Sequence, residues 1–420
     1  MFRWLMDLTK RERQTMGACF TGWALDALDV QVYSFVIPAL IGAWHINKGQ
    51  AGMLGTVTLL VSAFGGWFAG VLSDRFGRVR MLQITILWYA VFTCLCGFTN
   101  NFTQLLLCRA LQGLGFGGEW AAGSVLMGEV IRDKYRGRAV GFVQSGWAVG
   151  WGCAALLFIG IFSILPEALA WRALFWVGIV PALLVFWIRG HVPEPDVFRH
   201  KVTTIPMRLQ MVAMFRREHI ATVLKVSLLC LGATGGSYAF LIWLPTFLKT
   251  VRHLSVVGTG TFSCVLIVGS FIGFLCGAYM ADFLGRRATF MISAIGAGIM
   301  LGVYMVLPLS PNIMLVMGAP LGFFSFMMYS PMGPYMTELF PTHIRGTAQG
   351  FCYNAGRACG ALFPGLIGLL SEKMGLGVAI ALFGSISYSL MVIALLMLPE
   401  TLGRGLDTVQ DGQKARTAKA

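Results

Sequence analysis

Twelve predominantly apolar runs of about 20 residues or more dominate the chain. They lie near 17–43, 51–73, 81–99, 103–130, 139–163, 171–190, 223–248, 256–281, 289–309, 312–338, 347–371 and 376–398. As helices, such runs cross a hydrocarbon layer about 30 Å thick. Backbone in lipid must satisfy its own hydrogen bonds, so the pattern predicts an all-α polytopic membrane protein with twelve transmembrane helices. Charged residues make up only 12% of the chain, against about 25% in soluble domains. The longest polar interval, 191–222, contains HVPEPDVFRHK and FRREH and separates six runs from six. This divides the chain into an N-terminal bundle (1–190), a linker loop (191–222), a C-terminal bundle (223–400) and a tail (401–420).

The net charge of +14 could suggest nucleic acid, but its distribution points elsewhere. With the N-terminus inside, 25 of the 32 Lys and Arg fall on cytoplasmic segments and helix ends. Five, namely Lys48, Arg172, Lys249, Arg252 and Lys373, fall on the outer side. Arg109 and Arg357 lie within apolar runs. This is positive-inside topology: both termini, the linker and the tail are expected in the cytoplasm, and no nucleic-acid partner is expected. The start, MFRWLMDLTKRERQ, is basic, and the apolar run after it is too long for a cleavable leader. A helical bundle suits a bacterial inner membrane rather than an outer-membrane barrel. The ten cysteines all lie in apolar runs without metal-ligand company, so they read as packing residues and no metal is expected.

The two halves repeat. GVLSDRFGR (70–78) is echoed by GAYMADFLGR (277–286), with Asp74, Gly77 and Arg78 matching Asp282, Gly285 and Arg286. EVIRDKYRGRAVG (129–141) is echoed by ELFPTHIRGTAQG (338–350), with Glu129 and Arg136 matching Glu338 and Arg345. The offsets, 208 and 209, are almost equal, so the chain is a parallel duplication of six helices.

The DRFGR loop that follows the second run, together with LLLCRALQGLGFGGEW in the fourth, resembles the major facilitator superfamily over essentially the whole chain. Within it, the acids of the first run (DALD), GGEW and an Arg in the eleventh run are similar to proton symporters for organic acids, of the sialate/lactate and aromatic-acid groups. The resemblance implies alternating access, with two bundles rocking about a midplane site. It also implies a cytoplasmic gate at Asp74, Arg75, Gly77, Arg78, Glu129, Arg136, Asp282, Arg286, Glu338 and Arg345. The plainer reading of those charges is topology alone.

Asp26 and Asp29 stand in the first run, where an ionised carboxylate is costly. They are i, i+3 and form one stripe with Gly22 and Tyr33, predicted to line the cavity. In the fourth run, Arg109, Gln112, Phe116 and Glu119 form another stripe, and the eleventh presents Tyr353, Asn354 and Arg357. At about 1.5 Å per residue, Arg357 lies about 15 Å from the inner end, with Asp26 and Glu119 at similar depth. The intramembrane inventory is thus three acids and two arginines. Arg stays protonated, so the acids carry one negative charge too many and one of them is best kept protonated. Every His lies at a helix end or in the cytoplasm, which leaves proton coupling to Asp26, Asp29 and Glu119. Arg357 suits a carboxylate through its two-pronged donor edge. Tyr33, Tyr238, Tyr329, Tyr353 and Asn354 are candidate neighbours of the substrate. Arg109 and Gln112 read as structural or coupling residues, and Glu119 could instead pair with Arg109.

The leading expectation is a secondary transporter, acting as a monomer in the bilayer, that imports a small organic carboxylate anion with a proton and needs no cofactor beyond the proton gradient. The alternative is an efflux antiporter for drugs or metabolites; GFVQSGWAVGWGCAALL in the fifth run lacks the Gly-Pro that many exporters of the superfamily carry. A sensor or enzyme is disfavoured, because neither a Walker motif nor a nucleophile–base pair is present. Lactate-like, sialate-like and benzoate-like substrates remain equally open.

Overall fold

The computed structural model describes residues 3–132, 135–183, 185, 212–341 and 344–402, and all regular structure among them is helical. The first six apolar runs become α1 (Lys10–Trp44), α2 (Lys48–Phe76), α3 (Arg78–Cys96), α4 (Phe102–Val130), α5 (Arg136–Ile164) and α6 (Glu167–Trp176), the last continued by a 3-10 turn at Val177–Ile179. The other six become α7 (Arg217–Leu241) with α8 (Leu244–Thr250), α9 (Val256–Phe283), α10 (Arg286–Val306), α11 (Pro311–Met327) with α12 (Tyr329–Leu339), α13 (Arg345–Gly360) with α14 (Phe363–Met374), and α15 (Leu376–Met397).

Three passes of the second half are therefore broken, and proline accounts for each break. Helices α7, α11 and α13 end at Leu241, Met327 and Gly360, four residues before Pro245, Pro331 and Pro364. A proline has no N–H for the carbonyl four residues back and its ring crowds that carbonyl, so the ladder stops there. Of the three prolines in the tenth pass, Pro331 marks the break, whereas Pro320 and Pro334 sit inside α11 and α12.

The duplication is visible in packing. In the first half α1 packs on α5 and α2 on α4; in the second, α7 packs on α13 and α9 on α11. The halves meet along two equivalent seams, α5 against α9 and α2 against α13 and α14. Close backbone approach holds α9 to α11: a Cβ on Gly269, Gly273 or Gly277 would lie 2.0, 2.3 or 2.3 Å from the carbonyl oxygens of Ala319, Phe323 and Met327. These three glycines, four residues apart, thus form a packing seam. Large apolar side chains such as Phe64, Leu107, Leu156, Val268 and Leu396 stay exposed on the outside of the bundle, the surface that lipid covers.

At the end that the charge pattern places outside, the two halves are closely joined. The Gly365 N–H donates to Thr56 Oγ1 at 3.0 Å, and Lys249 pairs with Glu167 at 2.7 Å. A Cβ on Gly52 would lie 2.3 Å from the Pro364 oxygen.

Candidate functional site

Helix α1 starts at a capping box, in which Thr9 caps the Glu12 N–H and Glu12 caps Thr9 in return. It runs unbroken to Trp44 and carries Asp26 and Asp29 into the bundle, where both are fully buried. Three residues along a helix leave side chains about 60° apart, and here that angle separates them. The single acidic stripe expected from the sequence divides into two sites.

Asp29 turns into the first half. Gln112 Nε2 donates to Asp29 Oδ2 and, at 2.8 Å, to Thr93 Oγ1. Arg109 Nη1 donates to Gln112 Oε1 at 2.7 Å, and its guanidinium lies 4.3 Å from the Tyr33 ring centroid. The Tyr33 hydroxyl donates to the Ala51 carbonyl. Gln112 therefore relays between cation and carboxylate within one hydrogen-bonded unit shared by α1, α3 and α4. Tyr33, expected at the substrate, is instead a brace: its hydroxyl is committed to α2 and its face to Arg109.

Asp26 turns toward the second half. Arg357 on α13 is 2% exposed. It donates to the Tyr238 hydroxyl and lies within electrostatic reach of Asp26 and Tyr353. Its guanidinium sits 4.4 Å from the ring centroid of Phe116 on α4. Its Nε has no hydrogen-bond partner among the described residues. A buried cation stacked on an aromatic ring, with a donor to spare, is suited to capture an anion's oxygen.

Aromatic residues from both halves surround this point. Trp147 lies 6.3 Å from Phe116 and 5.1 Å from Trp23, while Trp151 on α5 meets Phe326 on α11 at 5.8 Å, from one half to the other. Phe326 in turn meets Phe274 at 5.3 Å and Tyr329 at 5.9 Å. The Tyr329 hydroxyl donates to Ser237 Oγ at 2.9 Å. Asn354 Nδ2 donates to the Gly350 carbonyl at 2.9 Å, and its side chain abuts Gly66 on α2, so it serves the seam between the halves.

At the inner end, the repeated glycines share one conformation: Gly77 and Gly285 precede α3 and α10 with φ of 104° and 97°. That backbone suits glycine. Arg286 Nη1 donates to Asp282 Oδ1 at 2.7 Å, and its Nη2 to Glu338 Oε1 at 3.2 Å, linking α9, α10 and α12 within the second half. Arg345 Nε donates to the Phe340 carbonyl at 3.2 Å. The side chains of Asp74, Arg75, Arg78, Glu119, Glu129 and Arg136 lie outside the described residues.

Three partners escaped sequence reasoning. Glu400 Oε1 and Oε2 accept the Arg286 and Arg287 N–H groups at 3.0 and 2.9 Å, capping α10. Burial pushes the Glu400 carboxyl up, but the backbone N–H groups of Thr401, Leu402, Arg287 and Arg286 outweigh it and hold it below the usual range. Thr401 Oγ1 donates to Glu338 Oε2 at 2.5 Å, closing the same cluster. The available signal was PET after the last apolar run, a lone acid at a helix end. Thr93 gave no signal, since a lone hydroxyl in an apolar run ordinarily bonds its own helix, as Thr93 also does to the Tyr89 carbonyl.

Two six-helix halves with a charged, aromatic-lined point between them define a membrane transporter rather than an enzyme. The profile of the Major Facilitator Superfamily matches residues 19–364 and 268–417, and the chain belongs to that family. It is 41% identical over 409 residues, 97% of this chain and 95% of the relative, to a protein of Cupriavidus pinatubonensis named "Probable 4-methylmuconolactone transporter". It is 32% identical to the cis,cis-muconate transport protein of Acinetobacter baylyi, over 91% of this chain and 93% of that one. The sialic acid transporter of Escherichia coli is 26% identical over 93% of this chain and 95% of its own length. The crystal structure of a D-xylose–proton symporter shares the fold, with a TM-score of 0.75 at 19% identity over 93% of this chain and 99% of that one.

Proposed function

We propose that the protein imports a small organic carboxylate together with a proton, by alternating access, across a bacterial inner membrane with both termini and the 191–222 linker in the cytoplasm. The observation that carries the reading is Arg357, a buried cation of the second half set against Phe116 and Asp26 of the first. Relatives whose names specify muconate, methylmuconolactone and sialic acid support an organic acid as cargo.

In the empty site Asp26 balances the charge of Arg357. An arriving carboxylate takes over the guanidinium, and Asp26, left in low dielectric without its cation, is stabilised by taking up a proton. Substrate and proton then cross together, because the site admits the anion only with a compensating positive charge. The Asp29–Gln112–Arg109 unit is the second element of this coupling: protonation of Asp29 weakens its tie to Gln112 and so loosens α1 from α4. The test is uptake of radiolabelled benzoate or sialic acid into proteoliposomes. Accumulation should follow an imposed inward proton gradient. Accumulation that follows sodium alone, or export against the gradient, would overturn it.

A further inference from the structure

Trp147 supplies an observation that carboxylate binding leaves unexplained. It is 7% exposed, and its indole N–H has no hydrogen-bond partner among the described residues; the same holds for the N–H groups of its neighbours Trp23 and Trp151. An indole N–H only donates. A buried donor left unmatched is costly, and native structures rarely tolerate it without reason. Packing alone would be served as well by Phe. Here such donors stand on α1 and α5, with Trp23 and Trp147 5.1 Å apart, and Arg357 also has a spare donor among the described residues.

Their placement specifies what would satisfy them. Phe116 touches both Arg357 and Trp147, at 4.4 and 6.3 Å between centres. One flat ring on Phe116 can therefore reach the cation with one end and the indole with the other. The two ends differ in charge. Arg109 and Arg357 are the fully buried arginines among the described residues, and Arg109 is occupied with Gln112 in the first half. The Trp147 end thus offers a neutral donor, with no further buried arginine to serve it among the described residues. A second carboxylate there would be desolvated without a positive partner.

We propose that the central site selects a flat monocarboxylate that carries a neutral acceptor oxygen (a carbonyl, ester or hydroxyl) at the far end from its carboxylate, and that Trp147 is the residue that reads that oxygen. The inference rests on the carboxylate reading of Arg357 and adds to it which second group the substrate bears.

The test measures Kd by isothermal titration on the purified full-length protein, with benzoate, 4-acetylbenzoate, terephthalate and uncharged benzamide. 4-Acetylbenzoate should bind about five-fold more tightly than benzoate, the worth of one neutral hydrogen bond. Terephthalate should bind at least about ten-fold more weakly than 4-acetylbenzoate. In Trp147→Phe, which keeps the ring against Phe116 and Trp23, the ratio of 4-acetylbenzoate to benzoate affinity should fall to about one. A purely structural Trp147 would shift all the carboxylates alike and leave that ratio intact, which overturns the assignment. Terephthalate binding as tightly as 4-acetylbenzoate overturns the selection while leaving the carboxylate reading in place. Benzamide binding as well as benzoate overturns the carboxylate reading and this inference with it.

Discussion

Arg357 on α13 and Phe116 on α4 meet face to ring at 4.4 Å, joining the two halves inside the bundle. Neither residue can move with its own half without leaving the other. Arg357→Ala should therefore abolish binding of a carboxylate substrate, and Arg357→Lys should weaken it about ten-fold, since an ammonium keeps the charge but loses the planar donor edge. Titration calorimetry on detergent-purified protein reads both; unchanged affinity in Arg357→Ala would mean that the guanidinium is structural.

Asp29 sits in a hydrogen-bonded unit rather than in open contact with cargo, so its substitution should separate coupling from binding. Asp29→Asn retains the shape and an acceptor for Gln112 but carries no titratable proton. Uptake driven by a pH gradient should be lost, whereas exchange of internal for external substrate, which needs no net proton movement, should persist. Gln112→Ala should impair both, because it leaves Arg109 and Asp29 buried without their relay. Equal loss of exchange and accumulation in Asp29→Asn would place Asp29 in binding instead.

Much of this was legible in the sequence, for reasons that particular residues make plain. Twelve spans and the duplication follow from run length and from the pair Gly77 and Gly285, whose shared left-handed backbone is a local property that a motif records. The broken passes were partly legible, since Pro331 can be seen in the sequence but its choice over Pro320 depends on whether neighbouring helices brace the freed carbonyl. The division of labour between Asp26 and Asp29 was not legible. Spacing places both on one face, but about 60° of rotation decides whether a carboxylate meets Gln112 or Arg357, and that depends on how α4 and α13 approach. Tyr33 failed for the same reason: its partner, the Ala51 carbonyl, is a backbone group on another helix.

Glu400 gives the acid limb of stability a specific source. Its carboxyl is held below the usual range in the folded chain by four backbone N–H groups working against burial. The native state therefore binds that proton less readily than the unfolded chain. Its contribution is complete above the ordinary glutamate range and is lost as the pH falls through that range toward the folded value. Glu400→Gln should cost about 1 kcal/mol at neutral pH, reduced by solvent screening, and should flatten this part of the acid limb. Thermal unfolding between neutral and acidic pH measures it. Parallel curves for the two proteins would show that the cap contributes no pH dependence.

The outer closure rests on Gly52, and a wedge there should open it. A Cβ at this position would lie 2.3 Å from the Pro364 oxygen and 2.9 Å from its carbon, so α2 and α14 cannot keep their spacing with a larger residue. Backbone offers no rotamer to relieve the contact, and overpacking of this kind costs roughly 1–3 kcal/mol. That is enough to shift a two-state equilibrium by about ten-fold or more toward the state in which the outer seam is parted. Ile242, beside Gly55 and only 4% exposed, reports on the seam. With exposed Cys153 and Cys359 replaced by Ser, an Ile242→Cys protein should react slowly with a membrane-impermeant maleimide added from outside. Adding Gly52→Val should raise that rate about ten-fold while slowing uptake, because a transporter held open to one side cannot complete its cycle. An unchanged labelling rate together with unchanged uptake would mean that the α2–α14 contact is not the gate.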